Sequence, residues 1–143
     1  MDKSLVTPPV PRDDVATVLL QAGVSPTPQR IEIATILLER TQHLSAEQVL
    51  AKLSDADTAV SKATVYNTLG LFAERGLVRE VRVDATRVFY DSNTSRHYHF
   101  YNVDDGVLID FPTADAVIKE LPVPPAGTCT DSVDVVIRVR NQS

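Results

Sequence analysis

The chain has 143 residues, 43% of them hydrophobic, with a formal net charge of −5, one cysteine and three histidines. No apolar run reaches the roughly 18 residues of a membrane span, and the opening M-D-K-S-L-V-T-P-P-V-P-R lacks the apolar core of a signal peptide, so a cytoplasmic chain of one ordinary domain or two small ones is expected. Cys129, standing alone, excludes an intramolecular disulfide and a cysteine-caged zinc.

Residues 1–11 hold Pro8, Pro9 and Pro11 and read as a flexible arm. A first helix is expected from about Arg12 to Ala22, with Asp13 and Asp14 at its positive end and Gly23 as its stop. In T-P-Q-R, Thr27 reads as an N-cap and Pro28 as the first residue of a helix to Arg40. Its apolar face is Ile31, Ala34, Ile36, Leu37 and Leu38. His43 falls in the loop that follows. Ser45 opens S-A-E-Q, a capping box with Gln48, and the short helix behind it is expected to bury Val49, Leu50 and Leu53. Ser61 caps a helix Lys62–Arg75 with an apolar stripe of Ala63, Val65, Leu69 and Phe72, closed by Gly76. Two β-rich runs, Leu77–Val83 and Arg87–Tyr90, flank Asp84-Ala85-Thr86 and predict a hairpin. Residues 12–90 therefore predict a winged helix-turn-helix.

Beyond Tyr90 the pattern changes. His97–Val103 and Val107–Phe111 flank Asp104-Asp105-Gly106, a hairpin turn. A helix is expected over Thr113–Leu121. After Pro122, Pro124 and Pro125 comes a strand, Val133–Arg140, with Val133, Val135, Ile137 and Val139 on one face. Residues 91–143 thus predict a β-β-α-β unit, and the fold class is α+β. A unit that small is a poor independent fold, so its sheet is expected to be completed by a second copy in a homodimer.

Two constellations carry chemistry. His43, His97, His99, Asp91 and Asp110 include every histidine of the chain. His-x-His on a strand turns both imidazoles to one face, and imidazole with carboxylate suits iron, manganese or zinc. A metal joining these residues would clamp the winged helix against the second unit and select one orientation of two winged helices. The second constellation is the start of the Lys62–Arg75 helix. In a helix-turn-helix the early residues of the second helix meet base edges; here they are Lys62, Thr64, Tyr66 and Asn67, with Arg30 available for phosphate or the minor groove. The global charge gives no help: residues 1–90 carry 10 basic and 11 acidic side chains and residues 91–143 carry 4 and 8. Only residues 61–82, with Lys62, Arg75, Arg79 and Arg82 against Glu74 and Glu80, make a positive patch. A solvated, protein-binding winged helix is the plainer alternative.

The strings T-P-Q-R (27–30), H-L-S-A-E (43–47), S-K-A-T-V-Y-N-T-L (61–69), G-L-V (76–78), H-Y-H (97–99) and D-G-V-L-I-D-F (105–111) resemble the ferric uptake regulator family over nearly the whole chain. The resemblance implies dimeric transcription regulators, usually repressors of iron-homeostasis or oxidative-stress genes, with a winged helix, a dimerisation domain and a regulatory metal at the hinge. Position by position it implies His43, Asp91, His97, His99 and Asp110 as ligands of one divalent metal per protomer. That metal is Fe²⁺ or Mn²⁺ in the cell, with Zn²⁺ as a substitute. It also implies double-stranded DNA, an AT-rich inverted repeat, as partner. The aspartates resemble the peroxide-sensing branch; the text around them is more similar to the iron response regulator branch. Asn102 and Asp105 stand where the family's first CxxC pair is expected, and the second pair is missing, so a structural zinc of that kind is excluded. Arg96 and Tyr98 replace ligands of a further site. Cys129 precedes Thr130, not the proline of a haem motif, leaving haem only the histidines. The rivals are a constitutive, haem-responsive or peroxide-responsive regulator of the same fold, and an enzyme of another class, a non-haem iron oxygenase with a two-histidine, one-carboxylate triad. The reading adopted is a regulator without catalytic activity.

Overall fold

The computed structural model describes residues 7–113 and 120–143. They fall into two units, residues 1–95 and 96–143.

Local chemistry sets the elements of the first unit. Helix α1, Arg12–Gln21, carries Asp13 and Asp14 in its first turn, where carboxylates meet the positive end of the helix dipole. Gly23 adopts φ +78°, and the amides of Gly23 and Val24 bond the carbonyls of Leu20 and Leu19 at 3.0 and 2.8 Å. That is a Schellman stop, which glycine adopts without a Cβ clash. Helix α2, Pro28–Leu38, starts at Thr27, whose side chain accepts the Arg30 amide. It buries Ile33, Ala34, Leu37 and Leu38. Ile33 was missing from the expected face, and Ile31 and Ile36 are only partly buried.

Helix α3, Ala46–Asp55, has the full capping box: the Gln48 amide donates to Ser45 Oγ at 3.2 Å and the Ser45 amide to Gln48 Oε1 at 2.8 Å. It buries Ala46, Val49 and Leu53, not Leu50. Helix α4, Lys62–Glu74, is capped by Ser61. Its buried stripe is Val65, Thr68, Leu69 and Phe72, an i, i+3, i+4, i+7 pattern. Ala63, placed on that stripe by sequence, is exposed; it lies off the arc of the other four, and Thr68 takes the place. These faces, with Val15, Leu19, Leu77 and Tyr90, make one core.

The wing is a three-stranded sheet in the order β1-β3-β2, with β1 His43–Ser45, β2 Arg79–Arg82 and β3 Val88–Asp91. Both pairings are antiparallel. The hairpin is therefore as expected, but His43 is not in a loop: it opens β1, a strand of three residues. A strand so short carries no readable period-2 pattern.

The second unit is a sheet in the order β5-β4-β6, with β4 Tyr98–Asn102, β5 Leu108–Phe111 and β6 Val136–Val139. β4 runs antiparallel to β5 and parallel to β6. The expected helix over Thr113–Leu121 crosses residues 114–119 and lies outside the described residues. The hairpin turn is held by side chains. Asn102 Oδ1 accepts the amides of Asp104 and Asp105 at 2.9 and 3.3 Å, its amide donates to Asn141 Oδ1 at 2.8 Å, and the Asn141 amide donates to Asp104 Oδ2 at 2.8 Å. Asp105 Oδ1 accepts the Val107 amide at 3.0 Å.

Candidate metal centre and nucleic-acid face

Three of the expected ligands meet within the second unit. His99 lies on β4 directly opposite Asp110 on β5, and His97 immediately precedes β4. The two imidazole centroids are 4.6 Å apart. His99 Nε2 is 3.1 Å from Asp110 Oδ1 and His97 Nε2 is 3.6 Å from the same oxygen. Donor atoms about 2.1 Å from one ion stand roughly 3.0–3.5 Å apart. The observed spacing therefore fits a shared cation, and the longer contact exceeds an ordinary hydrogen bond. Both histidines are buried while Asp110 keeps a 40% exposed side chain. Two imidazole nitrogens and a carboxylate oxygen make a donor set for iron, manganese or zinc.

The other two expected ligands belong to the first unit. His43 and Asp91 are direct cross-strand partners on β1 and β3. The His43 ring meets Phe89 edge-on, with centroids 6.1 Å apart. Asp91 is fully buried, and its Oδ1 accepts the Asn93 amide at 2.9 Å. Ser92, which the sequence reading did not single out, fixes this pair. Its Oγ accepts the Gln42 amide at 3.0 Å and lies 3.0 and 3.1 Å from the carbonyls of Arg40 and Gln42. Its own amide donates to the Gln42 carbonyl at 2.8 Å. The residue following Asp91 is thus tied to the residue preceding His43.

The candidate nucleic-acid residues lie at the start of α4 and of α2. Lys62, Tyr66 and Asn67 are exposed and Thr64 is half-buried. The Tyr66 hydroxyl donates to the carboxylate of Glu47 on α3, and Lys62 Nζ sits 5.9 Å from the Tyr66 ring centroid. The bond from Tyr66 holds the Glu47 carboxyl below its usual range, with smaller help from Lys62 and Arg87, and Glu47 in turn pushes the phenol upward. In the sequence Glu47 stands only within the capping motif and the string H-L-S-A-E; nothing local shows that its partner lies 19 residues on. Arg30 is half-buried, with Nη1 donating to the Ser25 carbonyl at 3.0 Å, so part of its guanidinium holds its own loop.

Residues 21–122 match the signature of the ferric uptake regulator family. The peroxide-responsive repressor PerR of Staphylococcus aureus is 37% identical over 93 residues, a match that spans 65% of this chain and 63% of that protein. The ferric uptake regulator of Pseudomonas aeruginosa with manganese is 28% identical, with a TM-score of 0.67 over 90% of this chain and 98% of that one. The ferric uptake regulator of Francisella tularensis with iron is 26% identical, with a TM-score of 0.70 over 84% and 93%. The chain belongs to the ferric uptake regulator family.

Proposed function

We propose that the protein is a metal-responsive, DNA-binding transcriptional regulator that works as a homodimer in the cytoplasm. The observation that carries this reading is the convergence of His97 and His99 on Asp110 in a chain whose other unit is a winged helix with an exposed polar start to α4. The relatives support it: one is a peroxide-responsive repressor, and two are ferric uptake regulators whose structures hold manganese or iron. Family membership leaves the oxygenase rival without support, since the winged helix serves no substrate.

In this reading His97, His99 and Asp110 hold Fe²⁺ or Mn²⁺, and Asp91 and His43 complete the set. A bound cation there supplies positive charge that neutralises the carboxylates. Five residues lie between Asp91 and His97, so the chain limits their Cα separation to about 20 Å. Ser92 keeps the His43–Asp91 pair preformed. Ligation would couple the two units, and a metal that favours one arrangement shifts the population toward it.

The dimer is supported by the second sheet. Ile109 and Ile137 both pair with Phe100, one from each side, yet they are 53% and 39% exposed. An apolar row on a small sheet is the kind of surface a second copy covers. For DNA, Lys62 and Arg30 would meet phosphate, Thr64 and Asn67 would meet base edges, and the Tyr66 ring would pack on thymine methyls. An AT-rich inverted repeat suits that chemistry and a two-fold protein. No helix among the described residues is long and apolar enough to cross a membrane.

Titration of metal-stripped protein with Mn²⁺, followed by electron paramagnetic resonance, tests the centre. One ion per protomer is expected. His99→Ala and Asp110→Ala should each weaken binding by more than the roughly 10–100-fold cost of losing an outer partner. Unchanged affinity in both variants would sink the assignment.

A further inference from the structure

We propose that Glu47 is a positioning residue for base reading: it holds Tyr66 so that the ring, and not the hydroxyl, is presented to DNA. The proposal rests on the DNA-reading function above and adds a residue to it. Glu47 lies in the first turn of α3, where the helix dipole favours a carboxylate and the Ser45–Gln48 capping box fixes the start of the helix. From there the carboxylate accepts the one hydrogen bond that the Tyr66 hydroxyl can donate.

A phenol has one hydrogen to donate. With that hydrogen committed, Tyr66 retains only an acceptor oxygen. A phosphate is also only an acceptor, so the DNA backbone finds no donor at Tyr66 and cannot pull the ring out of place. The carboxylate itself repels phosphate at this point. Lys62 and Arg87 act on the same carboxylate, so its repulsion is confined to this point. Lys62 Nζ, 5.9 Å from the ring centroid, adds a cation–π contact that further restricts the side chain. What Tyr66 offers outward is then apolar ring surface, which discriminates thymine by its methyl group. A tyrosine free to rotate would instead bond to phosphate on any sequence.

The test uses the full-length protein loaded with Mn²⁺. A random duplex pool is first selected with the wild-type protein. Affinities for a selected duplex and for a scrambled duplex of equal composition are then measured for wild type, Glu47→Ala, Glu47→Gln, Tyr66→Phe and the Glu47→Ala/Tyr66→Phe double variant. Thermal unfolding of each confirms that these exposed changes leave the fold intact. Glu47→Ala, which frees the hydroxyl for phosphate, is expected to lower the selected-to-scrambled ratio about tenfold, the size of a lost hydrogen bond to a charged group; Tyr66→Phe, which keeps the ring but has no hydroxyl to bind phosphate, should lower it by no more than that. The double variant should lose no more than either single one. Glu47→Gln keeps an acceptor oxygen and should keep most of the ratio. An unchanged ratio in Glu47→Ala, additive losses in the double variant, or Glu47→Gln behaving as Glu47→Ala would each overturn the proposal while leaving DNA reading in place. Failure of the wild-type protein to enrich any duplex would overturn both.

Discussion

Ser92 shows how much a single small residue carries. It is fully buried, and its hydroxyl is the acceptor for the Gln42 amide. Removing it leaves that donor unsatisfied, at a cost of about 1–3 kcal/mol. Ser92→Ala should therefore lower unfolding free energy in denaturant titration by that amount and also weaken metal binding, because the segment that presents His43 loosens. Asp84 is a second case. Its carboxylate accepts the amides of Thr86 and Arg87, each at 2.8 Å, and the Thr86 hydroxyl at 3.1 Å. The Thr86 amide is the largest cause of its lowered pKa. A depressed folded value contributes stability that is present above the ordinary Asp value of about 3.9 and is lost as pH falls through the folded value. The melting temperature should drop across that acid range, and Asp84→Asn should flatten the drop; a parallel pH profile in the variant would contradict this. His97 and His99 were legible as a pair because His-x-His on a strand turns both rings to one face, and the hairpin turn between β4 and β5 sets His99 opposite Asp110. Ser92 and Glu47 were not, because their partners lie 50 and 19 residues away.

At the scale of elements, caps were the most legible feature. Thr27, Ser45 and Ser61 all cap as their sequence context suggests, since a cap depends on neighbours three residues away. α3 ends in the same Schellman pattern as α1 and α4, with the Asp57 amide bonded to the Ser54 carbonyl and the Thr58 amide to the Leu53 carbonyl. Here, however, the left-handed position is occupied by Asp57, at φ +59°. A non-glycine residue pays about 1 kcal/mol for that conformation. Asp57→Gly should raise stability by about that amount in thermal or denaturant unfolding; no gain would mean that the aspartate makes a compensating contact. Strand β1 was not legible, because its three residues acquire strand geometry only by pairing with β3, more than 40 residues away in sequence. The same limit explains Ile33, on a helix whose later turns are nearly all apolar, where the buried arc is chosen by packing partners; Thr68 was passed over because it is polar, although its spacing from Val65, Leu69 and Phe72 puts it on the buried arc.

For the whole molecule, the change of periodicity near residue 90 falls five residues before the end of the first unit at residue 95, because the link after Asp91 has no periodicity to read. A second copy completing the second sheet was expected from the small size of that unit, but the residues it would cover were not, since an exposed apolar row becomes visible only once Phe100, Ile109 and Ile137 are known to be neighbours. If a second copy covers that row, Ile109→Asp with Ile137→Asp should convert the protein to a monomer in analytical ultracentrifugation at micromolar concentration. A dimer that survives both changes would place the interface elsewhere. The net charge of −5 makes the same point for the proposed DNA contact: it would rest on a local surface and weaken with salt in proportion to the phosphates that surface neutralises.

The central claim is that metal at His97, His99 and Asp110 governs which DNA the protein holds. The direct measurement is an anaerobic titration of metal-stripped protein with Fe²⁺ and Mn²⁺, scored by the genomic fragments it retains, for wild type and His97→Ala. A set of fragments whose retention changes with metal is expected, a change abolished in His97→Ala. Retention of the same fragments with and without metal, in both proteins, would contradict it and leave the histidine cluster without a regulatory role.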